Sequence, residues 1–189
     1  MENGKIIFLN GTSSSGKTTI AKVLQEKLPK PTMLVSLDGF FYLYPERILT
    51  PKTQEDAVLL SSLIPRVVSG LHGSVSALAR AGNDLIVDHV LQEDAWLKEC
   101  IEAWAGLDVL FVGVKCPLEI VEQREIQRGD RDAGTARYQF ERVHAHGFYD
   151  VEIDTSIFSA DECAERIIAS LQNRPRESAF QKLSASFKA

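Results

Sequence analysis

Gly11-Thr12-Ser13-Ser14-Ser15-Gly16-Lys17-Thr18 follows the apolar run Lys5-Ile6-Ile7-Phe8-Leu9-Asn10 and opens a helical stretch from Thr19 to Leu28. The spacing G-x-x-x-x-G-K-[ST], set between a strand pattern and a helix pattern, is that of a phosphate-binding loop. Its two glycines let the backbone curl so that successive N–H groups face phosphate oxygens at the positive end of a helix dipole. Gly11, Thr12, Ser13, Ser14, Ser15 and Gly16 are therefore expected to cradle the phosphates of a nucleotide. Lys17 is expected to reach the β- and γ-phosphates, and the Thr18 hydroxyl to hold Mg²⁺.

Outward from this loop, four more strand patterns alternate with helical ones. Thr32 to Leu37 is short and apolar enough for a buried strand and ends at Asp38-Gly39. Asp84 to His89 is β-branched in its middle and acidic at its end, Asp108 to Val114 is almost continuously hydrophobic, and Tyr149 to Asp154 is the last. Helical periodicity runs from Gln54 to Ala81, with Pro65 and Gly70 expected to kink or divide it, and from Gln92 to Trp104 with both tryptophans in the core. Pro117 to Gln127 and Ala160 to Leu171 follow, the latter opened by a Ser159/Glu162 capping box. Such alternation predicts an α/β fold of three layers, a five-stranded parallel sheet covered by helices on both faces.

In an open parallel sheet, ligands sit beyond the carboxyl ends of the strands. This rule puts Asp38 and Asp88 at the same edge as the phosphate loop, where Asp88 would serve Mg²⁺, through water, or an acceptor hydroxyl. Four aromatics in the five residues Phe40-Phe41-Tyr42-Leu43-Tyr44 come directly after Asp38. They either line an acceptor pocket or plug the core. Arg124, Arg128 and Arg131 straddle the Gly-rich stretch Gly129 to Gly134, as a lid closing on phosphates would require. Arg137 and Arg142 read instead as a solvated charged helix with Glu141 as partner.

The 189 residues suffice for one domain, here residues 1–172 with the lid near 124–137, and residues 173–189 form a polar tail, docked or flexible, with Phe180, Leu183 and Phe187 at helical spacing. A net charge of −5 argues against nucleic acid as the main partner. The N-terminus carries no signal-peptide pattern and no long apolar stretch, so the expected location is the cytoplasm, without a membrane partner. Cys100, Cys116 and Cys163 form no C-x-x-C pair and read as reduced packing thiols, Cys116 being the one placed to approach a cleft. His144 and His146, two apart, point away from each other on a helix and do not suggest zinc. His89, alone after a strand, reads as a structural group.

Gly11 to Thr18, Asp38, Ile86-Val87-Asp88, the Val109 to Val114 strand, Arg124 with Arg128 to Gly134, and Tyr149 to Thr155 together resemble the chloramphenicol phosphotransferase family of small P-loop kinases. The resemblance runs to about Leu171. It implies an ATP-dependent enzyme that phosphorylates a hydroxyl of a small molecule, chloramphenicol or a similar antibiotic, with Mg²⁺. Residue by residue it implies Asp38 as the base, Lys17 and Arg131 steadying the transferring phosphoryl, Arg124 against the adenine, Arg128 on phosphate, and Asp88 near metal or acceptor. Thr155 to Ser159 would border the base. Asp38, Phe40, Phe41, Tyr42 and Asp88 would make the acceptor pocket, and the acceptor region Phe40 to Thr53 is bulkier and more aromatic than that family's. Two other functions fit the motifs: a kinase of a sugar or sugar nucleotide, and a nucleotide-dependent switch or binding module. The chain lacks the N-K-x-D and D-x-x-G signatures of a guanine-nucleotide switch.

Overall fold

The computed structural model describes residues 2–129 and 134–187. Five strands, β1 (Lys5–Asn10), β2 (Thr32–Ser36), β3 (Asp84–His89), β4 (Asp108–Lys115) and β5 (Val151–Asp154), form one sheet. All neighbours are parallel, in the order β2-β3-β1-β4-β5. The helices are α1 (Lys17–Lys27), α2 (Leu37–Phe41), α3 (Glu46–Leu49), α4 (Gln54–Arg80), α5 (Asp94–Ala103), α6 (Leu118–Arg128), α7 (Thr135–Phe140), α8 (Ala160–Gln172) and α9 (Ala179–Ser186).

Strand alternation divides the core in two. Ile6, Phe8, Leu85, Val87, Val109 and Phe111 face α4, α5 and α9, whereas Ile7, Leu9, Ile86, Leu110 and Val112 face α1 and α8. Three layers result. The register pairs Leu9 with Asp88 and Ser36 with Asp88, which brings the carboxyl ends of β1, β2 and β3 to one rim beside the phosphate loop.

Four expectations need correction. β2 is an edge strand, and of its five residues only Val35 is buried, because nothing pairs beyond it. The strand expected over Thr32 to Leu37 ends at Ser36, and Asp38 sits on α2, whose N-cap Ser36 accepts the Gly39 N–H through Oγ. α4 runs 27 residues through Pro65 and Gly70 without division. Ser61 and Pro65 are exposed, so the carbonyl left without its N–H donor meets water, while Val67, Val68, Leu71 and Val75 anchor the following turns in the core. By length and apolar composition α4 could cross a membrane; here its second half is the central helix of one core layer. Finally, Trp104 is buried but Trp96 is only partly so and borders the cleft described below.

The tail is docked through α9. Ala179, Phe180 and Leu183 are buried, and the Phe180 ring stacks on Trp104 with centroids 5.8 Å apart. Trp104 also meets Phe8 edge-on at 4.8 Å and donates its indole N–H to the His72 carbonyl at 2.9 Å. Trp104→Ala is expected to cost about 3–5 kcal/mol through the cavity it leaves. Urea unfolding measures it, and a cost under about 1 kcal/mol would contradict this packing.

Candidate active site

β1 ends at Asn10, and the chain turns through Gly11 to Gly16 into α1. Ser14 (φ 61°) and Gly16 (φ 93°) hold left-handed conformations. The strain at Ser14, of order 1 kcal/mol, is what curls the loop. Gly11 serves differently from expectation: a Cβ there would lie 2.4 Å from the Val114 carbonyl oxygen, so its role is close approach to β4. The side-chain hydroxyls of Ser13, Ser14 and Ser15 are buried with no hydrogen-bond partner among the described residues. Three orphaned donors in one loop are a standing cost that a ligand rich in acceptor oxygens would relieve.

Lys17 is 6% exposed; its Nζ donates to the Thr12 carbonyl at 2.7 Å and lies 3.9 Å from Asp88 Oδ1. Thr18 Oγ1 donates to Asp88 Oδ2 at 2.6 Å. Asp88, at the end of β3, thus joins both functional side chains of the phosphate loop. One hydroxyl and one carboxylate, completed by phosphate oxygens and water, are a donor set that suits Mg²⁺.

This loop forms one wall of a cleft of about 640 Å³. Asp38 and Phe41 from α2, Ile64 from α4, Val90 and Gln92 after β3, and Trp96 from α5 line it as well. The aromatic run splits, because successive residues of a helix point about 100° apart. Phe41 faces the cleft, Phe40 packs against the core, and Tyr42 is 76% exposed and off the cleft. Phe40 and Tyr42 therefore do not line this cleft, whereas Ile64, Val90, Gln92 and Trp96 do, and nothing in the local sequence marked them.

Arg124 and Arg128 line the same cleft. Arg124 donates to Thr155 Oγ1 at 3.1 Å and to the Thr155 carbonyl at 3.0 Å, and Thr155 Oγ1 donates to the Ser15 carbonyl at 2.8 Å. Arg124 thereby ties α6 and the end of β5 to the phosphate loop. It also donates to Cys116 Sγ at 3.5 Å, and this contact, rather than the cleft surface, is where Cys116 is buried. Arg131 lies outside the described residues. Arg137 pairs with Glu122 rather than Glu141, with Nε–Oε1 at 2.7 Å, since α6 and α7 pack side by side.

Several polar residues around the cleft escaped the sequence reading. Glu125 is 3% exposed and accepts the Gly134 and Ala136 N–H groups at 2.9 and 2.8 Å, capping α7 with its carboxylate. Gln139 Oε1 accepts the Ser13 N–H at 2.7 Å. Asn10 donates to Val143 O and Tyr149 Oη, and its Oδ1 accepts the Leu91 N–H. Asn10 alone had a signal, as an amide ending an apolar strand. His144 and His146 lie in a succession of turns rather than a helix, and both pack against the Tyr149 ring, at 5.6 and 4.7 Å.

His89 is fully buried, with Nε2 3.0 Å from His72 Nε2. Burial first, and then the neighbouring His72, push its pKa down to about 3, so the ring is neutral at ordinary pH. His72 Nδ1 lies 3.1 Å from Glu99 Oε2 but outside hydrogen-bonding alignment, an oblique electrostatic contact. The pair braces α4 and α5 against β3.

A parallel sheet with a phosphate loop at its carboxyl rim, and a lysine, threonine and aspartate gathered there, defines a P-loop kinase fold. Solved structures share it: APS kinase from Mycobacterium tuberculosis (TM-score 0.67, 18% identity, 91% of this chain and 99% of that one) and the tunicamycin resistance protein of Deinococcus radiodurans (0.63, 23%, 89% and 96%). Shikimate kinase from Acinetobacter baumannii is similar too (0.64, 15%, 91% and 95%). Residues 4–172 match the family model described as chloramphenicol phosphotransferase-like protein, and the chain belongs to that family of phosphotransferases. A Mycobacterium tuberculosis protein provisionally named an O-phosphotransferase is 29% identical over 204 residues, spanning 99% of this chain and 91% of the relative.

Proposed function

We propose that this protein transfers the γ-phosphoryl group of ATP to a hydroxyl of a small molecule, chloramphenicol or a similar neutral antibiotic, in the cytoplasm. The observation that carries the reading is one cleft lined by two unlike sets of residues: a phosphate loop with three orphaned hydroxyls and Lys17, and Asp38 with Phe41, Ile64 and Trp96. A bare nucleotide-binding module has no use for the second set.

In this reading Asp38 accepts the acceptor's hydroxyl proton as the oxygen bonds to phosphorus and the bond from phosphorus to the β-phosphate oxygen breaks, releasing ADP. Lys17 and Arg131 hold the transferring group's charge, Arg128 contacts phosphate, and Arg124 borders the adenine next to Thr155, Phe158 and Ser159. Thr18 and Asp88 hold Mg²⁺, which when bound neutralises phosphate charge. Among the described residues this second set bears no lysine or arginine, which favours a neutral acceptor over a carboxylate or sulfate.

The test is ADP release across a panel of hydroxylated compounds that includes chloramphenicol, shikimate and sugars, with mass detection of the phosphorylated product. A neutral acceptor is expected to stimulate release, and chelating Mg²⁺ to abolish it. No stimulation by any compound would favour a binding module, and turnover of anionic acceptors alone would overturn the neutral assignment.

A further inference from the structure

Thr155, the residue after β5, joins three elements. Its backbone N–H donates to the Lys115 carbonyl at the end of β4 at 3.0 Å. Arg124 of α6 grips it at two points, Nη1 to Oγ1 at 3.1 Å and Nη2 to the carbonyl at 3.0 Å. A guanidinium has donors only, so Oγ1 accepts from Arg124 and its single proton is left for another oxygen. Two carbonyls compete for that proton, Ser15 at 2.8 Å and Lys115 at 3.4 Å. Ser15 is the nearer, and the Lys115 carbonyl already receives the Thr155 N–H, so the hydroxyl is turned toward the phosphate loop.

The Ser15 carbonyl accepts no other hydrogen bond among the described residues. Across the trans peptide that joins Ser15 to Gly16, the Gly16 N–H points opposite to this carbonyl, away from Thr155. That N–H has no partner among the described residues. Gly16 is the N-cap of α1 and lines the cleft with Lys17 and Thr18, where free N–H groups and the helix dipole favour an anion. A chain of hydrogen bonds that starts on a cation polarises each member in turn, so the grip on the carbonyl also strengthens the N–H at the other side of the peptide.

We propose that Thr155 is a positioning residue for phosphate binding. Its hydroxyl, oriented by Arg124, holds the Ser15–Gly16 peptide so that the Gly16 N–H stays aimed at the phosphates, and Arg124 thereby acts on the loop through Thr155. The proposal rests on the nucleotide half of the reading above and is independent of the acceptor's identity.

The probes are inorganic tripolyphosphate, which offers phosphates without a base, and a non-hydrolysable ATP analogue, both followed by calorimetry. Thr155→Val keeps the shape of the side chain and removes the hydroxyl; it is expected to weaken tripolyphosphate about five- to tenfold. Thr155→Ser, which keeps the hydroxyl, is expected to bind within about twofold of wild type. A role in folding alone would lower the thermal midpoint and leave the affinity of the folded protein unchanged. Arg124→Met is expected to cost about threefold less affinity in the Thr155→Val background than in the wild-type one, because the chain is already cut. Thr155→Ala makes the same comparison if circular dichroism shows the valine variant unfolded. Wild-type affinity in the variant without the hydroxyl, or strictly additive losses in the double variant, would overturn the proposal. If the wild-type chain binds neither probe, the phosphate-loop reading fails as well, an outcome distinct from normal binding that the substitution leaves unchanged.

Discussion

Asp38→Asn is expected to lower kcat for phosphoryl transfer by about 10²- to 10⁴-fold while leaving nucleotide affinity within about threefold. Asparagine preserves the size of the side chain but cannot take up the proton that leaves the acceptor hydroxyl. The two effects separate because of where the residue stands. Asp38 lies on α2 at the end of an edge strand, whereas the proposed nucleotide contacts come from the loop, α1 and α6. Turnover with the acceptor found by the screen, paired with calorimetry of ADP, measures both. Full turnover in the variant would remove Asp38 as the base. Loss of nucleotide binding with the base chemistry intact would move it to the metal.

Lys17→Ala is expected to reduce kcat by about 10²- to 10³-fold and to weaken ATP binding, because a preorganised cation is lost where charge develops. The residue is 6% exposed and spans from the Thr12 carbonyl to Asp88, beside the unpaired hydroxyls of the loop in the proposed phosphate site. Its removal leaves the Asp88 carboxylate, 8% exposed, with the Thr18 hydroxyl but without a cation 3.9 Å away. Some stability is therefore expected to fall as well. The change in thermal midpoint on adding the ATP analogue separates the effects, since only the ligand-induced increment reports phosphate contact. An increment equal to that of wild type would place the phosphates elsewhere.

Much of the fold was legible because its determinants are local. Each strand core is a short hydrophobic run, the long helices have their own periodicity, and Ser159 with Glu162 closes a capping box within four residues. The half of the site next to the phosphate loop was legible for the same reason, since Lys17 and Thr18 occupy fixed offsets in one motif. The rest of the cleft lining was legible only in part, at Asp38 and Phe41. Phe40, Phe41 and Tyr42 are adjacent in sequence, yet the single turn of α2 sends them to core, cleft and solvent.

The chain by itself determined the order of the elements, the parallel sheet, the placement of Asp38 and Asp88 at one rim, and the family. These follow from hydrophobic period and motif spacing, which are properties of contiguous residues. Tertiary structure alone decided the partners. Thr18 meets Asp88 across 70 residues, Arg124 meets Thr155 across 31, and Gln139 meets Ser13 across 126. No local pattern records such contacts, because a buried polar side chain finds its partner through the crossing of elements and not through its neighbours in the chain.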